Sequence, residues 1–143
     1  MIRILNLTIF VIFLSITKAN SLIEIDITRG NLDPLPIAVS PLFQDDISKK
    51  NSINQIKIDN VGSEISSVVE NNLKTSGLFN PLSKDAFLQK PDIAHLKPRF
   101  EDWALIKAQA LITGKVKIEN KILKVEFRLW DVLAGREMMA LAF

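Results

Sequence analysis

The only histidine, His95, lies in PDIAHLKPR, between Pro91 and Pro98. An imidazole can move protons or hold a metal, but either task needs a second group aimed at it. The chain has no cysteine, no HExxH, no GxSxG and no glycine-rich phosphate loop. His95 therefore reads as a surface residue in a proline-flanked loop. Asp45, Asp46, Lys49 and Lys50 form two charged doublets; these read as a solvated loop and not as a metal site. Ser76 beside Gly77 offers a hydroxyl with no base placed near it, and the pair fits the end of a helix instead. Asp131 follows Trp130 at the end of an alternating segment and reads as a turn-capping aspartate, the alternative being a polar group at a domain contact. Trp103 reads as packing beneath a helix. Trp130 falls on the outward parity of its strand, so it marks a contact surface or is covered by a helix or by further sequence. No catalytic, cofactor-binding or metal-ligating residue is assigned, and the sequence is not read as an enzyme.

The elements that position these residues follow from periodicity. SLIEIDITRG opens with strand-like alternation: Ile23, Ile25 and Ile27 on one side, Glu24, Asp26 and Thr28 on the other. RGNLDPLP is a turn or linker, and Pro36 to Leu42 a short apolar strand. Residues 43–56 are polar and read as loop. Val61, Ile65, Val68, Val69 and Leu73 then recur at helical steps, with Asp59 or Asn60 to cap the start and Gly77 to end the helix. Leu78 to Leu82 reads as a short strand that Pro81 confines to an edge or terminus. FEDWALIKAQ gives a second, shorter helix, with Phe100, Trp103 and Ile106 on one face and Leu105 and Ala108 widening it.

The period then changes to two. ALITGKVKI, a tight ENK turn and ILKVEFRLWDV form a hairpin in which Leu123, Val125, Phe127 and Leu129 face inward. Lys124, Glu126 and Arg128 face outward, and REMMALAF is a last strand candidate. The order is β-β-α-β-α-β-β-β. It predicts an α/β (α+β) domain with two helices packed over one face of a mixed sheet of about five strands. The leading strand stands apart, with nothing before it to pair with.

The chain has 143 residues and a formal net charge of +2. Its first residues, MIRILNLTIFVIFLSITKANS, combine Arg3, an apolar run from Ile4 to Leu14 and a small polar stretch around Ala19. That is the layout of a secretory signal peptide cleaved near Ala19. Its apolar run is shorter than the ~20 residues of a bilayer span, so no stable membrane insertion is expected after cleavage. Arg3 and Lys18 are the only charges of residues 1–19, so the remaining chain is formally neutral. Neutrality, and the lack of an interleaved aromatic and basic platform, argue against nucleic acid. Export without cysteine excludes disulfides and acylation. The expected location is the periplasm of a cell with two membranes.

Four stretches in order resemble one family. Pro36 to Leu42, PIAVSPL, resembles the PIAV-P-F segment of the TolB family. Asn71 to Leu82, NNLKTSGLFNPL, is similar to its DL-x-x-SGLF-x-P passage. Pro98 to Val116, PRFEDWALIKAQALITGKV, is similar to P-x-F-x-x-W-x-x-x-x-A-x-x-L-V-x-G, and Val125 to Glu137 contains the F-R-L-W-D segment. The resemblance covers nearly all of residues 21–143. It implies a two-helix, five-stranded α/β domain over residues 36–143, preceded by residues 1–19 as signal and 20–35 as extension and linker.

The resemblance also implies a periplasmic, non-catalytic adaptor of the Tol-Pal system. In that system the protein serves envelope integrity and inward movement of the outer membrane at division. It would reach TolA of the inner membrane through Leu22, Ile23, Glu24, Ile25, Asp26, Ile27 and Thr28, added as a strand to the partner's sheet. The family's further helix and its β-propeller, which carries the surface for the lipoprotein Pal, have no counterpart here. Pal binding is therefore not expected of this sequence, which reads as C-terminally truncated. No cofactor is implied. The competing readings are a non-functional remnant of a decayed gene and a small periplasmic ligand-binding module.

Overall fold

The computed structural model describes residues 33–44, 60–119 and 122–143. The leading strand at Leu22 to Thr28, the signal segment and the Asp45, Asp46, Lys49 and Lys50 doublets lie outside the described residues.

Strand β1 spans Leu35–Val39 and strand β2 spans Phe43–Gln44. Both run parallel to β4, Ala110–Glu119, along the same side of it. Together they act as one strand interrupted at Ser40, Pro41 and Leu42. Pro41 has no amide hydrogen to give to a ladder, which suits the interruption. Helix α1, Val61–Thr75, follows, and β3, Phe79–Pro81, returns parallel to β1. This is a β-α-β crossover, and β3 is a sheet edge as Pro81 requires. A 3-10 turn at Lys84–Ala86, a single helical turn α2 at Pro91–Ala94 and helix α3 at Phe100–Leu105 lead back to β4. The antiparallel strands β5, Ile122–Asp131, and β6, Arg136–Ala142, complete the order β3-β1-β4-β5-β6. Among the described residues the result is a mixed six-stranded sheet with three helices. Its five-stranded path and its two main helices are those expected from periodicity; β2 and α2 are additions too short to carry a period.

The helices do not share a face. Leu111 pairs with Ala38 and with Trp130, and these three join Ala94, Trp103, Ala108 and Val132 in one buried cluster under α2 and α3. Adjacent strand residues point to opposite faces. Ile112, Phe127 and Leu129 therefore point the other way, where Val69 of α1 sits beside them. The sheet is the middle of three layers. This explains Trp130: the parity that reads as outward is covered by α3 and its approach, and the indole is 8 % exposed. Leu105, expected to widen the α3 face, is 74 % exposed, because the helix ends there and Lys107 turns the chain with a φ of 64°.

Helix α1 is seated by its smallest residues. Gly62 and Ser66 are its buried positions, while the expected stripe of Val61, Ile65, Val69 and Leu73 is half-buried and Val68 is exposed. The amide of Leu42 donates to the carbonyl of Gly62 at 3.2 Å. A Cβ on Gly62 would collide with the Leu42 carbonyl oxygen. The Ser66 hydroxyl turns back to the carbonyls of Gly62 and Ser63 at 3.0 and 2.9 Å. Asn60 starts the helix through its backbone carbonyl, not its side chain. Gly77 takes a φ of 72° just beyond the end, the left-handed conformation that glycine adopts without strain.

Candidate partner-binding surface

The expected site, Leu22 to Thr28, lies outside the described residues; its point of attachment does not. Asp33 and Pro34 are exposed, and β1 begins at Leu35, whose amide donates to the Leu78 carbonyl at 2.9 Å. Seven residue steps separate Thr28 from Leu35, a reach of at most ~25 Å. β1 lies between β3 and β4, one strand in from the β3 edge.

The polar residues weighed for chemistry each have a structural task. His95 lies flat on Phe43, ring centroids 4.2 Å apart, with Nδ1 3.0 Å from the Pro91 carbonyl oxygen. It ties α2 to β2. The Ser76 hydroxyl donates to Leu73 O at 2.6 Å and accepts from the Leu78 amide, closing the end of α1. Asp131 is buried, and its Oδ1 accepts from the Ala134 amide at 2.9 Å, as a turn-capping aspartate does. Its Oδ2 has no hydrogen-bond partner among the described residues. Gln89, buried, clamps the start of α3: its amide donates to Arg99 O and Asp102 Oδ2, and its carbonyl accepts from the Arg99 amide. Among the described residues no three His, Asp or Glu side chains gather as metal ligands. No helix among them is long and apolar enough to cross a membrane.

Two surfaces remain. On the α2 and α3 face, β4 and β5 carry ion pairs: Lys115 with Glu126 at 3.2 Å, Lys124 with Glu119 at 2.7 Å and Arg128 with Glu137 at 3.3 Å. The hydrogen bond from Lys124, then the charges of Lys124 and Lys117, hold the Glu119 carboxyl below the usual glutamate range. These pairs neutralise one another and leave a solvated face.

The α1 face is different. A groove of about 240 Å³ runs between α1 and the β5–β6 ribbon, lined by Val69, Ile112, Phe127, Leu129, Met139 and Leu141, with Arg128 at its rim. Helix α1 packs against β1, β2, β3 and β4, so the β5–β6 half of this face has no covering helix among the described residues. Leu123, expected to be buried, is 38 % exposed. Alternation identifies which side chains share a face, but it does not reveal how far a helix extends across that face. The groove was signalled in the sequence only by apolar residues on β6 in excess of what two helices can cover. It can bury apolar side chains; it holds no acid, base or nucleophile.

Comparison with known proteins places this architecture. The TolB amino-terminal domain family matches residues 23–138. The chain is 68% identical over 136 residues to the Tol-Pal system protein TolB of Pelagibacter ubique (strain HTCC1062), a match covering 94% of this chain and 30% of that protein. The chain thus spans under a third of that relative's length. Among solved structures, TolB from Acinetobacter baumannii superposes with a TM-score of 0.55 at 18% identity, over 78% of this chain and 23% of that one. The lipoprotein GNA1162 of Neisseria meningitidis gives 0.53 at 16% identity, over 77% of this chain and 78% of its own. The LpoB C-terminal domain of Escherichia coli gives 0.52 at 14%, over 80% and 84%. At such identities these likenesses concern the fold alone. With that family matched across four-fifths of this chain, the chain belongs to the TolB amino-terminal domain family.

Proposed function

We propose that this chain acts as a non-catalytic, periplasmic adaptor of the Tol-Pal system, and that residues 22–28 are its contact with TolA. The observation that carries this reading is family membership combined with the pattern of the leading segment. Ile23, Ile25 and Ile27 alternate with Glu24, Asp26 and Thr28, as in a strand whose two faces meet different surroundings. Addition of such a strand to a partner's sheet edge draws affinity from main-chain hydrogen bonds and specificity from alternate side chains. Glu24 and Asp26 suit a basic partner edge and would speed encounter at low salt. Nothing in the geometry of His95, Ser76 or Asp131 competes with this reading, since each serves the fold. The apolar groove beside α1 supports the alternative of a small-ligand module.

Replacing Ile25 with proline removes a backbone donor from the middle of the segment. The expected result is loss of TolA binding with the thermal unfolding midpoint unchanged. A variant that unfolds at a clearly lower temperature would instead make residues 22–28 a permanent part of this domain's own sheet.

A further inference from the structure

We draw no further inference here: the strongest candidate, the apolar groove between α1 and the β5–β6 ribbon lined by Val69, Phe127, Leu129, Met139 and Leu141, carries nothing because nothing in the structure shows what covers it.

Discussion

The indole of Trp130 donates to the hydroxyl of Thr113 at 2.9 Å, inside the layer closed by α3. Both residues are buried, and the bond crosses from β5 to β4 on the face that sequence parity marks as outward. Phe100 packs on the same indole, with ring centroids 5.7 Å apart. The pair fixes the hairpin to the helix layer.

Thr113→Val keeps the shape and removes the acceptor. A buried N–H without a partner costs ~1–3 kcal/mol, so chemical denaturation should show a loss of that size. Thr113→Ser should restore most of it. If valine proves neutral, water reaches the indole and the layer is looser than described.

Gly62 gives a test in which the sign is informative. Alanine normally stabilises a helix over glycine by ~0.5–1 kcal/mol. Here its Cβ would meet the Leu42 carbonyl, so Gly62→Ala should destabilise by ~1–3 kcal/mol through overpacking. Asn71→Ala, at an exposed position of the same helix, should be neutral or stabilising. A stabilising Gly62→Ala would mean that α1 stands further from β2 than the Leu42–Gly62 hydrogen bond indicates.

Asp131 separates a turn bond from the burial of a second polar oxygen. Asn keeps the acceptor for the Ala134 amide and replaces Oδ2 by an amide nitrogen, whereas Ala loses the bond. Asp131→Ala should cost ~1–2 kcal/mol at neutral pH, and Asp131→Asn distinctly less. Equal losses would show that the second carboxylate oxygen has a partner of its own.

Much of this architecture was legible because it is periodic. The alternation from Leu123 to Leu129 identified β5 and its two faces, and the three- and four-residue steps from Val61 to Leu73 identified α1. Gly77 and Asp131 were legible because their roles are local. The layer to which α3 belongs was not, since parity assigns residues to faces without saying what covers each face. Trp130 was ambiguous for that reason. The seam of α1 was hidden because Gly62 and Ser66 add nothing to a hydrophobic stripe, yet their small size lets the helix approach. The openness of the β5–β6 groove depends on the lateral position of α1, which no local pattern encodes.

The central claim is the proposal that residues 22–28 engage TolA. Calorimetric titration of the TolA C-terminal domain into the chain, and into a version lacking residues 20–34, tests it directly. Saturable binding by the first and none by the second, with both unfolding cooperatively, is the predicted result. Equal binding by both, or no binding by a well-folded chain that retains the segment, would contradict it.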